Sequence, residues 1–225
     1  MGGGFPIDLV LFGMVAVFLV LRLMSILGKR TGYERPAEPA APSNVVPMGR
    51  RGVEAPVIEA TVEPAAPQDR PLPDPATPLG LALAAMAHTD RTFTPQRFLG
   101  GAEAAFRIIV TAFANGERTT LHPLLSADTY RAFEAAIAAR EAAEQTQRTE
   151  IRAIAKADIE QAELHGTTAV ITVRFVSDQV NITVGADGVP VAGTDAVTEI
   201  VDLWSFERDL ATADPAWRLI AARSA

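Results

Sequence analysis

The stretch EIVDLWSFERD, residues 199–209, sets a carboxylate among aromatic side chains. With the two-residue repeat of a strand, Asp202 shares a face with Ile200, Trp204 and Phe206. A carboxyl group buried there would have a raised pKa and the means to act as a general base. The competing reading is an ion pair with Arg174 or Arg208, or an exposed strand position. The sequence favours that second reading, because a raised pKa needs burial that residue order does not supply. The three histidines, His88, His122 and His165, fall at a helix end, in a short interhelical segment and in a strand turn. No H-E-x-x-H spacing links them and the chain has no cysteine, so a metal site and a thiol nucleophile are not expected. Gly2-Gly3-Gly4 precedes an apolar run, and Gly100-Gly101 lacks the lysine and spacing of a phosphate loop. No catalytic residue, cofactor or metal is therefore assigned, and the chain reads as a binding protein, not an enzyme.

Binding chemistry is carried by large apolar side chains. Phe106, Phe113, Phe133, Phe175, Trp204 and Trp217 are the candidates for a pocket wall or a partner contact. Each has a core-packing reading beside the functional one, and in a pocketed fold core and wall are one surface.

These residues need helices and strands to position them. LGLALAAMAH places Leu79, Ala82, Leu83 and Met86 at helical spacing, with almost no charge before Asp90. That helix either packs on its own domain, the favoured reading, or lies on a membrane or partner. A second helix starts near Pro95 and presents Phe98, Ala102, Phe106, Ile109 and Phe113, with Asn115-Gly116 as its stop signal. Leu121, Leu124 and Leu125 mark a short third helix. A fourth begins at Ser126 as N-cap, with Asp128 in its first turn and Tyr130, Phe133 and Ile137 as its apolar stripe.

The period then changes to alternation. Ile151, Ala153, Ala155, Ala157 and Ile159 are expected on one face of a first strand, and Ala169, Ile171, Val173 and Phe175 on one face of a second. Asp187-Gly188 signals a turn. Residues 198–208 and 217–221 supply the third and fourth strands. Helices followed by antiparallel strands predict an α+β fold, one curled sheet around a long helix.

Upstream the composition is different. Residues 7–27 carry only Asp8 and Arg22 as charges, and at about 1.5 Å per residue they make a helix of roughly 31 Å, enough to span a bilayer. Arg22, Lys29 and Arg30 form the membrane flank. A cleaved signal peptide would have basic residues before the apolar run and a small-residue cleavage site after it. Here the basic residues follow, which predicts a retained single-pass anchor with its N-terminus outside and residues 28–225 in the cytoplasm, or in the matrix if the membrane is mitochondrial.

Eleven of the 16 prolines lie between Tyr33 and Pro78, so that stretch reads as a disordered or polyproline-like tether; its PLPDP at 71–75 offers only a weak SH3-ligand signal. The expected organisation is a tail at 1–6, a transmembrane helix at 7–27, a basic flank and linker at 28–78, and a folded domain at 79–225. The overall charge of −7, and −6 within 79–225, argues against a nucleic-acid partner.

Several stretches together resemble a known family. FLGGAEAAFRIIVTAFANGERTTLHPLLS at 98–126, TAVITVRFVSD at 168–178, EIVDLWSFERD at 199–209, DPAWRLIA at 214–221 and LGKRTGYERP at 27–36 are similar to the bacterial TimA-type proteins. Those are relatives of the Tim-forty-four scaffold of the mitochondrial import motor. The resemblance implies a cone-shaped α+β domain with a deep apolar pocket between helices and sheet, and an adaptor or scaffold role at the inner membrane. The mitochondrial relative has a further N-terminal region that recruits the motor chaperone. An anchor and tether stand in its place here, so the motor role does not transfer whole.

The leading expectation is a membrane-anchored adaptor at the bacterial inner membrane, touching the bilayer and a protein partner such as translocation or assembly machinery or a chaperone. The alternative is a module that binds lipid or an acyl chain. An enzyme on the same scaffold ranks last, since fold alone does not supply chemistry.

Overall fold

The computed structural model describes residues 70–224. The apolar segment at 7–27, its flank Arg22, Lys29 and Arg30, and the tether as far as residue 69 lie outside them. Among the described residues no helix is long and apolar enough to cross a membrane.

Among the described residues four helices precede four strands: α1 Pro78–Thr89, α2 Pro95–Asn115, α3 Arg118–Leu121, α4 Ala127–Ala142, β1 Thr146–His165, β2 Thr168–Val184, β3 Pro190–Asp209 and β4 Arg218–Ser224. Each long helix starts at a side-chain cap. The Thr77 hydroxyl accepts from Gly80 N at 3.1 Å, Thr94 from Arg97 N at 3.3 Å, and Ser126 from Thr129 N at 3.3 Å. Pro78 and Pro95 occupy first turns, where the missing N–H costs nothing. Gly116 ends α2 in the left-handed conformation, φ 72°. The Arg140 guanidinium then donates to Phe113 O and Ala114 O and lies over the Phe113 ring, closing the exposed carbonyl end of α2 from the side.

The strands form one antiparallel meander in the order β1-β2-β3-β4. Ala169, Ile171, Val173 and Phe175 are all fully buried on one face of β2, as alternation predicts. They meet Phe106, Ile109 and Leu99 of α2, Phe133 and Ile137 of α4, and Leu83 and Met86 of α1 in one core. The α4 start is tied to β4: the Thr129 hydroxyl donates to Ile220 O at 2.9 Å, and Leu124 and Ser126 exchange backbone hydrogen bonds with Leu219.

Three expectations change. In β1, register shifts fall between Ile151 and Ala153, Ile154 and Lys156, and Ile159 and Gln161. Each shift displaces the in–out alternation. Ile154 therefore points inward with Ala157 and Ile159, while Ala153 and Ala155 are exposed. In β3 the strand begins at Pro190 rather than 198, because the ladder resumes beyond an outward bulge that takes up residues 195–197. Gly193 makes that approach feasible: at φ +80° an added Cβ would sit 2.1 Å from Asn181 O. Asp202 is not on an exposed strand position; its relative accessibility is 0 %.

Residues 70–77 are fastened to the domain. The Arg70 guanidinium grips the Glu103 carboxylate with two hydrogen bonds, 2.8 and 3.1 Å, and donates to Ile154 O and Ala155 O at 3.1 Å each. The strap then runs so close to α1 that a Cβ on Gly80 would lie 2.2 Å from Asp74 O. PLPDP is thus engaged by its own domain.

Candidate functional site

A cleft of about 330 Å³ opens between the N-terminal half of α2 and the loops that flank β3 and α1. Its floor is aromatic. Phe98, four residues into α2, sets its ring edge-on to Trp217 at 4.7 Å and to Phe206 at 6.0 Å. Phe93, from the α1–α2 loop, closes against Trp217 at 5.9 Å. Gly101 and Ala105 form the α2 wall, and an added Cβ on Gly101 would meet nothing within 4 Å, so that wall is open.

Polar contacts hold the two loop walls. The Asp90 carboxylate accepts from the Thr92 amide and hydroxyl at 2.8 and 2.7 Å, which turns the chain and presents Phe93. The other Asp90 oxygen lies 3.0 Å from the Arg208 guanidinium, both side chains 11 % exposed. Arg208 also donates to Asp214 O at 3.0 Å, in the loop that carries Pro215, Ala216 and Trp217. One arginine at the end of β3 therefore braces both walls. The Thr92 hydrogen bonds, helped by the Arg208 charge and opposed by desolvation, hold the Asp90 carboxyl below its ordinary value.

At the rim stands Arg97, exposed. Its guanidinium donates to Thr92 O at 3.3 Å and makes no ion pair among the described residues. The cleft thus combines an apolar floor with an exposed guanidinium at its edge, which suits an apolar group next to a negative charge.

The six aromatic residues singled out from the sequence do not converge. Phe106, Phe175 and Trp204 are buried together in the core, with ring centroids 4.5 Å apart for Phe106–Phe175 and 4.7 Å for Phe106–Trp204. Phe113 and Phe133 pair edge-on at 5.0 Å at the far end of α2. Trp217 alone of the six lines the cleft. Phe93, Phe98, Phe206, Arg97 and Arg208 join it. Three of these are aromatics on three different elements, and their common signal, a short distance to Trp217 or Phe98, exists only in three dimensions.

Asp202 lies opposite Phe175 on β2 and Ser224 on β4, toward the end of the inner face where Gln179 donates to Ser177 at 2.8 Å. Arg208, one of its expected partners, is engaged by Asp90, and Arg174 pairs in register with Leu203 on the opposite face. The histidines are exposed and apart: His88 in the last turn of α1, His122 edge-on to Tyr130 at 4.9 Å, His165 beside Glu163 at 2.9 Å. Among the described residues no cluster of three or more His, Asp or Glu side chains has the placement to hold a metal ion.

No curated protein sequence matches the chain. Among solved structures it is similar to the intermembrane space region of the chloroplast protein ARC6, at 9 % identity and a TM-score of 0.40, covering 56 % of this chain and 95 % of that one. It is also similar to a putative dehydratase of the NTF2-like family from Streptomyces avermitilis, at 13 % identity and a TM-score of 0.34, covering 58 % and 96 %. A family model, the Tim44-like domain, matches residues 79–224, from the second residue of α1 to the last of β4. That match takes in all but the first residue of the described helices, the four strands and the cleft-lining residues, and the chain belongs to the Tim44-like domain family.

Proposed function

We propose that this chain is a membrane-anchored, non-enzymatic adaptor whose Tim44-like domain presents the Phe98–Trp217 cleft to a protein partner. The observation that supports it best is the cleft itself: an aromatic floor, an open wall at Gly101, and Arg97 with no acidic partner among the described residues. Such a site suits binding and orienting: its lining is mostly apolar, the Thr92 hydroxyl is engaged by Asp90, and the Thr94 hydroxyl caps α2. The apolar segment at 7–27 would fix the chain to the inner membrane with the domain on the cytoplasmic side, and the tether would give it reach. Anchoring raises the effective concentration of a cleft of modest affinity near membrane-bound partners.

The same apolar floor and rim cation would also accept an acyl chain with an anionic head. Two measurements separate the readings. A proximity-labelling enzyme fused to the C-terminus of the intact chain is compared with the same fusion carrying Ala105→Trp, which fills the cleft. Loss of a specific set of labelled cytoplasmic proteins in the filled variant supports the adaptor. Native mass spectrometry of the full chain then looks for a co-purifying lipid. A lipid present in the wild type, absent from Ala105→Trp, with unchanged protein labelling, would replace the adaptor by the lipid module. Labelling confined to the outer face would reverse the topology.

A further inference from the structure

Charge narrows the kind of segment that the Phe98–Trp217 cleft fits. Residues 79–225 carry a net −6, yet no acidic residue lines the cleft. The loop carboxylates beside it are already paired, Asp90 with Arg208 at 3.0 Å and Asp214 with Arg218 at 3.5 Å. On α2, Glu103 is the one acid, and Arg70 clasps it. Arg97 and Arg107 of the same helix are exposed and make no ion pair among the described residues. At about 1.5 Å per residue they stand about 15 Å apart along the helix axis. The α2 wall is therefore cationic within an acidic domain, and its charges are spaced for a segment that presents more than one carboxylate.

Backbone chemistry narrows it further. The Thr92 amide is taken by the Asp90 carboxylate, the Phe93 amide by Asp90 O and the Ala216 amide by the Asp214 carboxylate, while Pro215 has none. Thr92 O accepts from Arg97, and Asp214 O from Arg208. The sheet edge that follows Trp217 is also occupied there: Leu219 donates to Leu124 O and accepts from Ser126 N. The remaining wall is the body of α2, where amides and carbonyls pair within the helix. An extended peptide laid in this cleft would find no ladder for its own backbone groups, whereas a helix arrives with them satisfied. Gly101 leaves the mouth open, so a second helix can lie close to α2. The cavity of about 330 Å³ then takes one or two large side chains from it.

We propose that the partner segment is an acidic amphipathic helix. An aromatic or branched apolar side chain fills the cleft against Phe98 and Trp217. A carboxylate about one turn away on the same helix pairs with Arg97, and further acids run toward Arg107. The apolar anchor supplies the affinity; the arginines set direction and reject basic helices. The inference rests on the cleft being a protein-binding site, as proposed above.

The full chain in phosphatidylcholine nanodiscs is panned against two displayed peptide libraries. One is a stapled helix with a randomised face; the other is linear with a central proline, which does not continue a helix. Binders count only if they are lost on two filled variants, Ala105→Trp and Gly101→Trp. In the second the new Cβ enters open space, and melting curves establish that both fold like the wild type. The expected binders come from the helical library and carry Asp or Glu about one turn from an aromatic, Leu or Ile anchor. Made singly, the leading helix should bind Arg97→Glu about three- to fivefold more weakly, the scale of an exposed ion pair. Replacing its acid by lysine should restore binding to Arg97→Glu and weaken binding to the wild type, a swap that a merely structural Arg97 would not show. Cleft-dependent binders that are basic, or that come from the proline library, overturn the proposal and leave the adaptor reading standing. A cleft that selects no peptide also overturns it, and a lipid released from that cleft in native mass spectrometry would name the occupant instead. The adaptor reading itself stands or falls on the labelling of Ala105→Trp.

Discussion

Arg70→Met removes the clasp that fastens the strap. Arg70 is only 10 % exposed and makes four hydrogen bonds, two to the Glu103 carboxylate and two to β1 carbonyls. Hydrogen bonds to a charged group contribute about 1.5–3 kcal/mol each when buried, but Glu103 is 21 % exposed and regains water once the arginine is gone. A net loss of about 2 kcal/mol follows for the set. The strap lies at the edge of the described unit, so it can undock without unfolding the core, and the loss should appear locally first. Two kcal/mol is about a 30-fold increase in strap opening. Hydrogen exchange at Thr77, whose amide donates to Asp74 O at 3.0 Å, should accelerate by about that factor, while amides in β2 stay protected. If strap and core open together instead, Tm falls by about 4–8 °C for a unit of this size. Unchanged exchange at Thr77 and an unchanged Tm would show that the Gly80 contact, not the arginine, holds the strap.

Gly80→Ala should undock the same strap by a different route, because its Cβ would overlap Asp74 O; the Thr77 amide should then exchange faster than in the wild type, and an equal rate would mean that the strap yields without cost. Phe106→Ala and Trp217→Ala separate core from cleft: the first, with no exposure, should cost about 3–5 kcal/mol in urea unfolding, the second about 1–2 kcal/mol with loss of the cleft-dependent labelling. The pH dependence comes from Asp90. Its carboxyl is held below the ordinary value of 3.8, so its contribution is fully present above that pH and is lost as pH falls through the lowered folded value. The stability difference between wild type and Asp90→Asn should be constant at neutral pH and close below about pH 3.8; a difference that vanishes already near pH 6 would point to another group.

Local signals in the sequence were sufficient where the structure is locally determined. Ser126, Pro95 and Asn115-Gly116 mark helix ends because capping depends on residues within a turn of each other. The inward set of β2 was legible because that strand lies between two partners and keeps one alternation from Ala169 to Phe175. The β1 face was not, because bulges are set by how an edge strand bends over its neighbour, and no residue type announces them. Asp202 illustrates the same limit: alternation identified its face correctly, while its burial depends on what covers that face. The cleft was half legible. Trp217 stood out by type, but Phe93 and Phe98 reach it from either side of a helix start, and Arg208 becomes a brace only when Asp90 and Asp214 arrive from opposite sides.

The irregular β1 has a consequence for how copies of this chain meet. A long sheet edge with unpaired backbone groups is a template on which another strand can add, and a protein concentrated in one place is the more exposed to that fate. Of the two edges of this sheet, β4 is only seven residues long, while β1 runs for 20. Three interruptions break the regular spacing of β1, and at one of them the Arg70 guanidinium already occupies the carbonyls of Ile154 and Ala155. An incoming strand would find neither a straight ladder nor free acceptors there. The clasp that fastens the strap is thus also a guard against fibre-like stacking, and a variant that loses it should show its first fault as slow aggregation of folded protein.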